Sequence, residues 1–367
     1  MNIVYCGIDL HNDFLVIGVN KLLMDVNEIE TFKIRNENRT IKRFFNRQKM
    51  NNELKVCYEA GPCGYSLYRQ LTKMGIDCEV IAPSLIPKGS GDKIKTDRRD
   101  AKRLTKLYRT GNLTSIRVPT VSEENERSII RLREQYSEKI RRVKHQIGKF
   151  LVYKGIHYEL GNKWTIRYMN WLKRICTHLN KIEQYILENY LNELTFLEML
   201  RDEVDKKIIE LSESAKYKDH VTQLKCFRGI ETFTAMAILT SVIDFKRFQK
   251  AEQFMSFVGL TPREYSSGNN IIKGKISKNG NILLRKLLVE SSKHYRHPAR
   301  VSQALSKRWS AVRVEVRNRA YKALKRLHKK YYKLLYTKGP NKAAVAVARE
   351  LCGFIWATMN DIPLRKN

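Results

Sequence analysis

The sequence predicts an α/β layer at the amino terminus, a long helical middle and a mostly α-helical carboxy-terminal region, and three observations predict it. Short β-branched apolar runs, punctuated by turn residues, crowd residues 1–118. Charged amphipathic stretches with almost no proline or glycine occupy most of residues 119–217. Within residues 218–367, the stretch from Ala299 onward is helical in pattern and strongly basic.

In the first region IVYCGIDL and FLVIGV flank the short polar HND and read as a β-hairpin. ETFKI, KVCYEA and DCEVIAP supply a third, fourth and fifth strand, with the helical pattern GYSLYRQLTKMG between the last two. Strands and helix together make a layered α/β domain. In the middle region Ile129, Leu132, Tyr136, Ile140, Val143, Ile147 and Phe150 recur at spacings of three and four. Such a seam marks a coiled coil or helical hairpin. After a break around Gly155 to Asn162 a second stretch of similar periodicity begins at Trp164, so an antiparallel pair or a dimerising arm is expected. Further on, LKCFRGIETFTAMAILTSVIDF resembles a helix-hairpin-helix turning at Gly229 and Ile230, a motif whose backbone amides hold a DNA phosphate. Glu231 stands where a second glycine is usual, which leaves a plain packing turn as the alternative.

Lys and Arg total 70 against 37 acidic residues, a formal net charge of +33. The excess is spread along the chain, so several faces are expected to meet phosphate backbone, with binding that weakens steeply in salt. At 43% hydrophobic and 10% aromatic residues the 367-residue chain can bury cores and is not a disordered polycation. In the last region Arg313, Arg317, Arg319, Lys325 and Arg326 interleave with Trp309, Tyr321, Tyr331 and Tyr332, a pattern suited to nucleic acid. No apolar run approaches the roughly 20 residues of a membrane-spanning helix. The start, MNIVYCGIDLHNDF, has no signal-peptide pattern, so a cytoplasmic protein is expected. The seven cysteines form no CxxC pair and read as small buried hydrophobes.

Against this basic background four acids stand out: Asp9 and Glu59 ending two strand runs, then Asp97 and Asp100 in KTDRRDAKRL. Carboxylates gathered in a polyanion-binding protein repel its ligand unless cations sit between them. In an RNase H-like (RuvC-like) sheet the first and fourth strands each end in an acid and a late helix supplies the rest, a layout these four residues fit. Residues three apart on a helix share a face, so all four can converge on one or two magnesium or manganese ions. Singly, each has an ordinary explanation as a turn or capping residue, Asp97 at the Thr96-Asp97 junction for example.

The preceding loop, IPKGSGDKIKTDRRD, places Lys88, Lys93, Lys95, Arg98 and Arg99 around a Gly-Ser-Gly turn, suited to tracking a strand or simply to a solvated surface. Downstream, TPREYSSGNNIIKGKISKNGNILLRKLL sets hydroxyls and amides among Arg263, Lys273, Lys275, Lys278 and Arg285. The residues alone say only that this is a phosphate-binding loop, although a serine there is able to attack phosphorus.

The order of GIDLHND, YEAGPCGY, KTDRRDAKRL, RGIETFTAMAIL, FVGLTPREYSSG and GKISKNGNILLRKLL resembles the transposases of the one-ten and eleven-eleven insertion-sequence family over nearly the whole chain. The resemblance implies a RuvC-like DEDD domain, a coiled-coil region and a carboxy-terminal transposase domain with a catalytic serine. It also implies recombination of double-stranded donor and target DNA guided by a structured bridge RNA. The tetrad carries over to Asp9, Glu59, Asp97 and Asp100, and the nucleophile to Ser267, with Ser266 as the alternative. A homo-oligomer, dimer to tetramer, follows from the need to handle two strands in each of two duplexes. Two rivals stand beside this expectation: a RuvC-type junction or repair endonuclease that activates water with the same acids, and a non-catalytic RNA- or DNA-binding scaffold.

Overall fold

A computed structural model describes residues 2–87, 96–267 and 270–363, with the side chains of 265–273 outside the description. The chain divides into two compact units, Met1–Thr120 and Val121–Asn367.

The first unit runs β1 (Asn2–Leu10), β2 (Phe14–Lys21), β3 (Glu30–Arg35), α1 (Asn38–Lys49), β4 (Asn52–Glu59), α2 (Ser66–Lys73), β5 (Asp77–Ile81), α3 (Asp97–Arg109) and β6 (Ser115–Ile116). Its sheet has the order β3-β2-β1-β4-β5-β6. β2 lies antiparallel to β1 and β3, whereas β4 is parallel to β1 and β5. This mixed sheet is consistent with the expected RNase H-like domain, and the five expected strands all form. The two-residue β6 and the basic helix α1 are additions.

Alternation along the strands assigns the two faces. Val4, Cys6 and Ile8 of β1, Leu15 and Ile17 of β2 and Val56 and Tyr58 of β4 are buried in one core with Ile41 and Phe45 of α1 and Leu67 and Leu71 of α2. The opposite face belongs to α3, where Cys57 and Ile81 pack with Leu104. α3 comes very close because Gly7 and Gly18 are direct partners across β1 and β2. A Cβ on Gly7 would stand 2.3 Å from the Thr105 nitrogen, and one on Gly18 2.4 Å from Thr105 Oγ1. Only a glycine pair leaves a flat floor for this helix. Thr105 fastens the contact, accepting from the Gly7 amide at 3.0 Å and donating to the Ala101 carbonyl at 2.8 Å.

The second unit opens with α4 (Val121–Tyr153), α5 (Ile166–Cys176) and α6 (Lys181–Ser212). α4 and α6 pack as an antiparallel hairpin, shown by three rungs, Arg133 to Asp205 at 2.9 Å, Lys144 to Glu198 at 2.9 Å and Lys154 to Glu183 at 2.6 Å, and by Glu126 to Lys216, just past the end of α6, at 2.5 Å. Ile140, Val143, Ile147 and Leu151 of α4 bury against Leu187, Leu194 and Leu197 of α6, with Tyr168 and Leu172 of α5 beside them. The seam read from sequence drifts at its amino-terminal end. Leu132 is exposed and Ile130 is buried, because the first turns of α4 face the core of the remaining helices instead of α6 alone.

Those elements are α7 (Lys218–Leu224), α8 (Thr232–Val242), α9 (Ala251–Val258), the hairpin β7 (Pro262–Ser267) and β8 (Asn270–Ile276), α10 (Ile282–Lys293), α11 (Gln303–Ser310), α12 (Val314–Lys338) and α13 (Pro340–Met359). α8 is buried along nearly its full length, and Val316, Leu324 and Leu327 of α12 share a core with Val347, Leu351 and Ile355 of α13. The serine segment is thus a two-stranded hairpin between helices. All seven cysteines are free and six are buried. Among the described residues no helix is long and apolar enough to cross a membrane.

Candidate metal centre

Asp9 sits near the end of β1, two residues beyond Gly7, and alternation therefore turns it toward α3. α3 runs so that Thr105 lies over Gly7 and its first turn lies at the carboxyl end of β1. Thr96 is the residue that caps α3, its Oγ1 accepting from the Arg99 amide at 3.4 Å, so Asp97 is not the cap. Asp97 and Asp100 occupy the first turn, where the helix dipole favours negative charge.

The third participant, His11, was invisible in the sequence pattern, where HND reads only as a turn. Its Nε2 lies 3.2 Å from Asp9 Oδ2 and 3.7 Å from Asp97 Oδ1. Asp9, His11 and Asp97 each offer a ligand atom, and all three atoms fall within 4.8 Å of one another. One first-row or magnesium-sized cation, with bonds of about 2.1 Å, spans such a triangle. The donor set of hard carboxylate oxygens plus one imidazole nitrogen therefore fits a divalent cation.

Electrostatics agree with that geometry. Burial pushes the Asp9 carboxyl above its ordinary value; His11 pulls it down through charge and hydrogen bonding, and the negative charges of Asp97 and Asp100 push it up again. Asp100 is thus within electrostatic range of Asp9. Glu59 ends β4 one residue beyond Tyr58, the register partner of Ile8, on the same sheet face as Cys57. It is exposed, whereas Asp97 and Asp100 are the acids whose charges act on Asp9.

The basic residues singled out in sequence have varied fates. Arg98 and Arg99 are exposed on the first turn of α3 beside Asp97, while Lys88, Lys93 and Lys95 lie outside the described residues. Exposed Arg263 reaches the Ser277 carbonyl at 3.5 Å, Lys275 and Lys278 are exposed, and the Lys273 side chain is outside the description. Arg285 is committed to structure, donating to the Val258 carbonyl at 2.9 Å. On α12 the exposed Arg317, Tyr321 and Lys325 follow one another at four-residue spacing, with Lys325 Nζ 4.4 Å from the Tyr321 ring centre. Arg313 pairs with Asp361 at 2.5 Å and Arg326 with Glu350. Trp309, Tyr331 and Arg319 are buried and serve the core, Trp309 Nε1 donating to the Cys226 carbonyl at 3.0 Å. Ser266 and Ser267 are in β7, with Ser267 paired to Asn270 across the hairpin. At the start of α8 Glu231 receives Arg308 at 2.7 and 2.8 Å.

Comparison with known proteins gives this arrangement a family. Residues 6–154 match a DEDD transposase profile, and residues 221–306 match the profile described as "Transposase IS116/IS110/IS902 family". The putative transposase y4qE of Sinorhizobium fredii (strain NBRC 101917 / NGR234) is 37% identical over 307 residues, 83% of this chain and 75% of that protein. The transposase for insertion sequence element IS1533 of Leptospira borgpetersenii is 33% identical over 347 residues, 90% of this chain and 96% of that protein. The transposase for insertion sequence element IS1111A of Coxiella burnetii (strain RSA 493 / Nine Mile phase I) is 28% identical over 83% of this chain and 78% of that protein. A DEDD domain of this kind implies divalent metal use, for which the cluster at the end of β1 supplies ligands. With both profiles matched in order and near full-length relatives at this identity, the chain belongs to the IS116/IS110/IS902 family of transposases.

Proposed function

We propose that this transposase excises and inserts its own mobile element by magnesium-assisted strand exchange guided by a bridge RNA. The observation that carries the catalytic part is the convergence of Asp9, Asp97 and His11 within 4.8 Å at the end of β1. Asp9, Glu59, Asp97 and Asp100 would hold the cation, with manganese able to serve in place of magnesium. When bound, it supplies Lewis-acid polarisation of a scissile phosphate. Arg98 and Arg99, exposed beside Asp97, draw the DNA backbone toward the cluster.

The hydroxyl of Ser267, or of the neighbouring Ser266, attacks phosphorus and gives up its proton as the DNA oxygen leaves with one. The resulting phosphoserine ester conserves the linkage until a free hydroxyl of the partner strand displaces the serine. This step and the bridge RNA rest on the motif order shared with the family. In functional terms residues 1–118 are the metal-binding domain, 119–217 a coiled-coil dimerising arm and 218–367 the serine-bearing domain. The arm presents exposed Ile182, Tyr185, Phe196 and Met199 on α6, apolar surface suited to a second copy. Dimers then pair into a tetramer so that two duplexes are handled together, in the cytoplasm on the nucleoid. Phosphate contact in the last domain is assigned to the Arg317–Lys325 face of α12. The turn at Gly229 is less suited, since Glu231 sets a carboxylate at the same helix end.

A trapping experiment tests this. Protein, guide RNA, donor and target DNA are incubated with Mg2+, denatured and examined for protein covalently joined to DNA. The adduct is expected in the native chain, absent in Asp9→Asn and absent in Ser267→Ala. Its persistence in Ser267→Ala and loss in Ser266→Ala moves the nucleophile by one residue. Undiminished cleavage in the double alanine variant points instead to water activation by a RuvC-type endonuclease.

A further inference from the structure

We propose that His11 is a nitrogen ligand of the metal centre, its Nε2 binding the cation jointly with Asp9 and Asp97, so that the site takes transition-metal ions in preference to magnesium. The inference rests on the reading of this cluster as a metal site and adds a residue that the four-acid pattern does not contain. Nε2 is the imidazole atom turned toward both carboxylates, at 3.2 Å from Asp9 and 3.7 Å from Asp97. Neighbouring ligands around an ion with bonds near 2.1 Å stand about 3 Å apart. These separations match that spacing.

The ring is also held in place, which distinguishes it from a surface histidine that happens to lie near acids. It stacks on Phe14, centroids 4.6 Å apart at 29°, and Lys33 Nζ covers Phe14 at 3.8 Å. The turn beneath it is pinned: the His11 amide donates to the Phe14 carbonyl at 3.0 Å, and Asn36 Nδ2 donates to the carbonyls of His11 and Asn12 at 2.9 and 3.0 Å. The Asn36 amide closes the arrangement on the Asp13 carbonyl at 2.9 Å. Asn36, the residue after β3, thus fixes the β1–β2 turn so that the imidazole arrives oriented. Magnesium prefers an all-oxygen shell, whereas first-row transition ions accept imidazole readily. A mixed set of two carboxylates and one imidazole therefore shifts selectivity toward Mn2+ and its neighbours.

Pulsed electron paramagnetic resonance of Mn2+ bound to the full chain tests this, run on native, Asp9→Asn, His11→Gln and His11→Asp proteins. The native complex is expected to show imidazole nitrogen coupling that disappears in His11→Gln, with Mn2+ affinity at least about tenfold weaker. His11→Asp, which restores an oxygen ligand, is expected to lower the Mn2+ to Mg2+ affinity ratio at least about tenfold. Should His11→Gln fail to fold, the coupling measured on native protein carrying 15N-histidine and the His11→Asp ratio still decide. Mn2+ bound in an Asp9-dependent way with no nitrogen coupling, or coupling that persists in His11→Gln, overturns the role of His11 and leaves the metal site standing. Mn2+ binding that is absent or indifferent to Asp9→Asn brings down the metal site and this proposal with it.

Discussion

The two segments proposed for catalysis are built in opposite ways. The acids stand on a six-stranded sheet with a helix pressed onto it through paired glycines, whereas the serines stand on a two-stranded hairpin. That hairpin is fastened near its base, where the Ser277 amide donates to the Thr261 carbonyl at 2.8 Å and the Asn281 amide to the Phe257 carbonyl at 2.9 Å. A two-stranded ribbon gains little stability on its own. The contrast follows from what each segment must hold. Like charges repel, so the acids need a frame that keeps them together before a cation arrives; a neutral hydroxyl imposes no such demand.

The largest effect is expected from breaking the frame. Gly18→Val places a branched side chain where a Cβ already meets Thr105 Oγ1 at 2.4 Å and the Ala101 carbonyl oxygen at 2.9 Å. Overpacking of this kind costs about 3 kcal/mol, and it moves α3 with Asp97. Chemical denaturation and Mn2+ titration should report lost stability and lost metal affinity together. Gly148, inside α4 with nothing within 4 Å of an added Cβ, gives the contrast: Gly148→Ala should stabilise by about 1 kcal/mol.

Asp9→Asn comes next. On the proposed function it removes a metal ligand and with it several kcal/mol of transition-state stabilisation, so strand cleavage should fall roughly a thousandfold or more. Folding stability should move the other way. Because the folded protein raises the Asp9 carboxyl above its ordinary 3.8, ionising it disfavours the fold, and that cost builds as pH rises from the ordinary value to the raised one and is complete above it. Without metal at neutral pH the asparagine variant should therefore melt at or above the native temperature. Added Mg2+ should raise the native melting temperature and leave the variant unchanged.

Much of the frame was legible in the sequence, and the residues explain both the hits and the misses. Alternation in IVYCGIDL, FLVIGV and KVCYEA announced the strands, and with them Asp9 and Glu59 at strand ends. Helix α1 was hidden because its segment, NRTIKRFFNRQK, carries five basic residues and buries only Ile41 and Phe45. The floor beneath α3 was hidden for a different reason: Gly7 and Gly18 become partners only through register, which a linear reading does not contain. The approach of His11 to Asp9 was hidden because it depends on Asn36, just past β3, pinning the turn. Trp309 and Tyr331 looked like base-stacking residues, yet amphipathic helices use the same residues to fill cores, and here they do.

A smaller effect sharpens the account of α3. Thr105→Val keeps the volume but strands the buried Gly7 amide, at a cost of about 1–3 kcal/mol. Thr105→Ser should recover most of it, as read by urea denaturation. The smallest effect belongs to the α4–α6 rungs. Lys144 and Glu198 are partly exposed, so a double-mutant cycle on them should return a coupling of about 0.2–1 kcal/mol that fades in salt. The apolar seam, not the ladder, holds that hairpin.

The metal centre at the end of β1 is tested most directly by anomalous scattering at the manganese edge from crystals of the native protein soaked in Mn2+. A peak within bonding distance of Asp9 and Asp97, absent from Asp9→Asn crystals, is the expected result. Manganese bound elsewhere on the chain, with density at Asp9 unchanged between native and variant, would contradict it.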